Sequence, residues 1–137
     1  MSVKIVAKIP EIHSVPLSSI DINENPYRQV IEFDDVNEKR WRLTLKPVYA
    51  WKITSIDCFD GTILTSNLEV FNQGRYSAYI LEVLDSPWIQ ELVKLDKCRS
   101  NCEHEVEKSH HYILHLGDHV IEVVAWDNYE IKMIEEK

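Results

Sequence analysis

Glycine is nearly missing from this chain, with three residues in 137. So little glycine leaves little backbone able to approach a nucleotide closely, and there is no Gly-rich phosphate loop and no nucleophile elbow. His-Glu-x-x-His and Cys-x-x-Cys are absent too, which removes the commonest marks of a zinc hydrolase or a thiol redox protein. No window approaches the roughly 18 apolar residues that cross a membrane as a helix. The first ten residues carry two lysines but no apolar block ahead of a small-residue cleavage site, and read as a strand, not as a signal peptide. Three cysteines is an odd count that a secreted scaffold would not leave unpaired, so the expectation is a reducing cytoplasm and free thiols. Basic residues are in deficit, 15 Lys and Arg against 23 Asp and Glu, for a net charge of −8. With no concentrated basic face, neither nucleic acid nor a membrane is an expected partner. An acidic surface instead attracts basic proteins and speeds their encounter.

What is present is ordinary globular composition, 45% hydrophobic and 28% charged, in a length suited to one domain, residues 1–137. Strand patterns dominate. Trp41, Leu43 and Leu45 alternate with Arg40, Arg42, Thr44 and Lys46, the period of a half-buried strand. Residues 34–39 fold it back on 28–33, and Pro47 ends it. Residues 48–59 continue as a long strand with Tyr49, Trp51 and Ile53 on one side, and Trp41, Trp51 and Trp88 are assigned to the core. Asp60-Gly61, between 53–59 and 62–65, predicts a type I′ hairpin, and Gly74 marks another turn. Gly117-Asp118 suits a two-residue type II′ loop. It pairs Leu116 with His119, Leu114 with Ile121 and Tyr112 with Val123. One face then holds Tyr112, Leu114, Leu116, Ile121, Val123 and Ala125, a core face; the other holds His111, Ile113, His115, Val120, Glu122 and Val124. Residues 76–84 and 129–134 are further strand candidates.

One segment has a helical signature. Asp85-Ser86-Pro87 offers a cap and an early proline, and Trp88, Leu92 and Leu95 follow at i, i+4 and i+7. The architecture expected is α+β: a mostly antiparallel β-sheet, as a sandwich or partly closed barrel, with one packed α-helix near residues 86–97.

Five of six histidines and two of three cysteines fall between Cys98 and His119. Cys98 and Cys102, with His104 and His110, supply four side chains of the kinds zinc prefers, although the tight Cys-x2-Cys turn of structural sites is missing. The plainer reading is a charged connector that holds two thiols, with no cofactor. His111 and His115 share a strand face with Glu122 diagonal to both, the layout of a proton-transfer trio or an open metal site. The plainer reading there is a solvated sheet face. Arg40, Arg42 and Lys46 form a basic stripe whose simplest use is pairing with Glu32 and Asp34. Trp126 lies at a turn with Asp127, Tyr129 and Glu130, an aromatic flanked by acids. Together with Asp34 and Asp35 these residues form the candidate set for binding a partner.

The stretches at 80–92 and 111–125 resemble small bacterial proteins of no assigned role. The resemblance covers roughly the last 60 residues, and the motifs that carry it are a helix cap followed by a hairpin. It implies a shared fold and no activity, so no catalytic residue is carried over from it. The function expected is that of a small, acidic, cytoplasmic, non-enzymatic domain that binds a basic protein, with an immunity-type inhibitor of a basic toxin as its sharpest form. The competing expectations are a metal-dependent or general-base enzyme built on the His/Cys cluster, and a self-associating subunit using exposed sheet edges.

Overall fold

The computed structural model describes residues 2–7, 9–13, 19–21, 27–95 and 106–134, with backbone alone at 19–21, 75 and 76. Hydrophobic alternation organises the chain into two antiparallel sheets. The first, five-stranded, places β1 (Ser2–Ile5), β8 (Ile80–Leu84), β9 (Ser109–Leu116), β10 (His119–Trp126) and β5 (Val48–Ser55) side by side in that order. The second, four-stranded, runs β11 (Glu130–Ile134), β4 (Arg40–Leu45), β3 (Gln29–Asp34) and β2 (Ser19–Asp21). A small hairpin, β6 (Phe71–Asn72) and β7 (Arg75–Tyr76), stands apart, and one helix, α1 (Pro87–Leu95), packs on β9. The fold is α+β and mostly antiparallel sheet, as the residue pattern predicts.

The main core lies between the sheets. Ile31, Phe33, Leu43 and Leu45 come from one side, and Tyr112, Leu114, Leu116, Ile121, Val123 and Ala125 from the other. All are nearly sealed from water. The β9–β10 register is the one expected, with Leu116 opposite His119, Leu114 opposite Ile121 and Tyr112 opposite Val123. Gly117 takes φ +65°, as a type II′ loop requires of its first residue. Burial pushes the Tyr112 hydroxyl well above its usual range, with the nearby Glu82 and Asp127 carboxylates adding to it.

The outer face of the five-stranded sheet departs from expectation. Residues 56–70 do not form a hairpin around Asp60-Gly61. They coil as two 3-10 helices, Ile56–Cys58 and Gly61–Ser66, laid across that face. The physical reason is local. The Asp60 carboxylate accepts from both the amide and the hydroxyl of Thr62, at 3.1 and 2.8 Å. Thr65 and Ser66 hydroxyls donate back to the carbonyls of Thr62 and Ile63. Such bonds compete with a strand ladder and win here. The strap is tied to β1, where the Val3 amide donates to Ser66 Oγ and Asn67 Nδ2 donates to the Val3 carbonyl. Under it Val3, Leu64, Val70, Leu81, Val83, Ile113 and Val120 form a second small core. The face expected to be solvated is therefore covered.

Two other placements differ from expectation. Trp51 is 39% exposed and Ile53 45%, because β5 borders the sheet and leaves its side chains without neighbours on one side. Trp41 is half-buried, and its indole Nε1 donates to Asp35 Oδ2 at 2.8 Å. Asp35 faces inward, 1% exposed, and also accepts from the amides of Asn37 and Lys39. Burial alone would raise its carboxyl, but these bonds and the Lys39 charge outweigh that and hold it below its ordinary value.

Two stability measurements test these assignments. Gly61 has room for a Cβ and an unexceptional φ, whereas Gly74 sits at φ +78°. Gly61→Ala should leave denaturation midpoints unchanged or slightly raised, and Gly74→Ala should cost about 1 kcal/mol; equal losses would restore the hairpin at 60–61. Asp35→Asn should cost about 1–3 kcal/mol at neutral pH. A depressed folded pKa confers stability above the usual carboxylate range and loses it as pH falls through the folded value. The gap between wild type and variant should therefore close in acid, and a constant gap from pH 7 to pH 2 would contradict the charged role given to Asp35.

Candidate functional site

Strand alternation points His111, Ile113 and His115 of β9 and Val120, Glu122 and Val124 of β10 toward the strap. Two of these are strongly polar yet buried, His111 at 6% and Glu122 at 7% exposure. They satisfy one another. His111 Nε2 lies 2.8 Å from Glu122 Oε1, and since a carboxylate only accepts, the ring nitrogen donates. His111 Nδ1 sits 2.7 Å from Ser86 Oγ. Ser86 caps α1, its Oγ accepting from the Ile89 amide at 3.4 Å. Pro87 opens the helix where its missing N–H costs nothing. The first helical turn then sets the Trp88 indole edge-on to His111, with ring centres 5.1 Å apart at 77°.

Lys52, directly across from Glu122 in the β5–β10 register, completes the group. Its Nζ lies 3.6 Å from Glu122 Oε2 and 4.4 Å from the centre of the Trp88 ring. A hydroxyl, an imidazole, a carboxylate and an ammonium thus form one connected chain drawn from four separate elements. His111, Glu122 and Lys52 border a cavity of about 300 Å³ between sheet and strap. Thr54, Cys58, Asp60 and Thr62 add polar lining, and Phe59, Ile63, Val83 and Ile113 the apolar walls. The Thr62 amide and hydroxyl hold the Asp60 carboxyl below its ordinary value, so it is ionised at neutral pH.

The Ser86–His111–Glu122 sequence of contacts has the outline of a hydrolase relay, but a nucleophilic hydroxyl must meet its substrate. Ser86 is 5% exposed at the start of the helix it caps and is not among the residues lining the cavity. What the chain does is fix Glu122 and the helix start in one geometry.

The sequence-level candidates scatter. Of the metal set, Cys98, Cys102 and His104 lie outside the described residues. His110, its fourth member, points to the opposite face from His111. Its Nδ1 is 2.6 Å from Glu82 Oε2, and its Nε2 is 4.0 Å from Asp127 Oδ2. Among the described residues no three His, Cys, Asp or Glu side chains are arranged to hold a metal ion. His115 is separate from the His111–Glu122 pair, its Nε2 donating to the Gly117 carbonyl at 2.8 Å. Burial lowers the His115 pKa, against the raising influence of that bond and of Asp118.

In the partner-binding set, Asp34 pairs with Arg40 at 3.2 Å and Asp35 is turned inward. Trp126 is half-buried with Lys108 Nζ 5.8 Å from its ring centre, and Tyr129 packs edge-on against Tyr112. Asp127, 72% exposed at its side chain, and Glu130 face solvent. Glu130 aligns with Thr44 and Asp34 with Arg40, so the two halves of the set stand at opposite ends of β4, about 13 Å apart. Of the basic stripe, Arg40 and Arg42 pair as expected, Arg42 Nε meeting Glu32 Oε2 at 2.8 Å, and Lys46 is exposed. Sequence reading placed His111 with Glu122 but missed Ser86, Lys52 and Trp88 as their partners. No local spacing links residues 52, 86 and 88 to the hairpin that carries His111 and Glu122.

A double-mutant cycle tests the chain. Ser86→Ala removes a cap and strands a buried ring nitrogen, and should cost about 2 kcal/mol. With His111→Leu already present, the same change should cost only the cap, about 1 kcal/mol. Additive losses by urea denaturation would show that the two residues act independently.

No protein-family model matches the chain, and no curated protein or solved structure matches it either, so the geometry stands as the ground for a functional reading.

Proposed function

We propose that this protein is a non-enzymatic binding domain for a basic protein, its sharpest form being an immunity-type inhibitor that masks the basic active site of a toxin. The observation that carries the reading is the charge of the strap. From Ile53 to Gly74 the chain has no lysine, arginine or histidine, and it carries Asp57, Asp60 and Glu69. All three acids are exposed. Ile56, next to Asp57, and Leu68, next to Glu69, stand open at 36% and 74% exposure. The Ile56 amide donates to the Asp118 carbonyl, which brings the exposed Asp118 to the same corner. Apolar side chains set among acids suit a surface that draws in a cationic partner and then excludes water from the contact. Asp127 and Glu130, with Trp126 and Tyr129, form a second acidic corner that such a partner can reach.

The alternative of a general-base enzyme draws on His111 and Glu122 bordering the cavity. Both nitrogens of His111 are already engaged within the fold, and that favours a structural duty for the imidazole.

The reading is tested by affinity capture from the native host at low ionic strength. Wild-type protein is compared with Asp57→Lys/Asp118→Lys and with Asp127→Lys/Glu130→Lys. A basic protein retained by wild type should be lost, about tenfold or more, from at least one reversed pair, and its retention should fall steeply with salt. A partner held equally by all three proteins, or one that is itself acidic, would overturn the proposal.

A further inference from the structure

Resting on that reading, we infer that the cavity under the strap receives one cationic side chain of the basic partner, an arginine. Charge decides the sign of the occupant. The lining presents two carboxylates, Glu122 and Asp60, against the single ammonium of Lys52. Position decides its shape. Glu122 lies deep, its side chain 9% exposed, whereas Lys52 sits at the rim with half its side chain in water. Phe59, Ile63, Val83 and Ile113 offer an apolar wall for an aliphatic stem between rim and carboxylate. At about 300 Å³ the space falls at the small end of ligand sites, fit for one side chain and too small for a nucleotide.

The fold already displays the contact in miniature. The Lys52 ammonium is held between the Glu122 carboxylate and the face of the Trp88 ring, the two groups that recognise organic cations. It does so loosely, at 3.6 Å from the oxygen. A guanidinium presents a planar fork of N–H donors and is less strongly hydrated than an ammonium, so it is the better cation for the one carboxylate oxygen, Oε2, that His111 leaves open. The bond from His111 to Glu122 Oε1 holds the carboxylate with Oε2 left to Lys52, the oxygen an incoming guanidinium would take over. Lys52, half-exposed already, is free to turn into solvent as it is displaced.

The experiment uses the intact protein and N-acetyl-arginine methylamide as probe, followed by NMR at the Trp88 indole and the His111 ring and by calorimetry. Saturable binding is expected, with shifts confined to residues around the cavity. The neutral citrulline analogue should not bind. Glu122→Gln should weaken the probe about tenfold, and Asp60→Asn should weaken it less. Lys52→Met, which removes the internal competitor, should tighten it. Absence of saturable shifts, equal binding of the citrulline analogue, or weaker binding in Lys52→Met would overturn the inference, as would phosphate binding at Lys52 in place of the cation. If the probe fails while the Asp57/Asp118 reversal still releases the basic partner, the cavity assignment falls and the binding-domain reading stands. If both fail, both fall.

Discussion

The hydrogen bond from His111 to Glu122 is the constraint around which the outer half of this molecule is arranged. Placing a carboxylate at 7% exposure is costly unless its oxygens are satisfied, and the imidazole beside it meets that need. The imidazole in turn has to be satisfied at its other nitrogen, and the hydroxyl that does so belongs to the residue starting α1. One buried charge therefore dictates where the helix begins, which indole stands over the sheet, and where the lysine of the edge strand rests. Polar networks of this kind are stabilising only when every member is paired, and here each is.

The five-stranded sheet is consequently used on both faces in different ways. Its inner face is largely apolar and packs against the second sheet, with Tyr112 in the core and the His110–Glu82 pair on the same side. Its outer face mixes a small apolar core with the polar chain, and the strap crossing it is made of residues that prefer to bond to their own backbone. The adjacent histidines 110 and 111 show the division at single-residue resolution. One reaches Glu82 on β8, the other Glu122 on β10, from opposite sides of the same strand.

How much of this was legible follows from the range of the interactions. The 109–126 hairpin could be read pair by pair, because strand alternation and a two-residue loop are both local rules. The helix start was legible from Ser86-Pro87 for the same reason. The strap is not legible because Asp60-Gly61 is compatible with either a hairpin or an Asx-type turn, and the bonds of Thr62, Thr65 and Ser66 make the choice. Trp51 was misassigned because alternation identifies the face of a strand but not whether that strand lies at the border of its sheet. Of the site, only the association of His111 with Glu122 is legible in the sequence, since their proximity is a property of one hairpin. Lys52, Ser86 and Trp88 arrive through tertiary contacts that no spacing encodes.

Burying an acid and a base on opposite strands of a hairpin also guards its alignment. A slide of β10 by one residue past β9 would turn Glu122 into the hydrocarbon between the sheets and swing Ile121 and Val123 out against the strap. An all-apolar pair of strands would forgive such a slip, since leucine and valine are nearly interchangeable neighbours. Here the misaligned ladder would strand a carboxylate without a donor, so the wrong pairing is rejected as the strands meet.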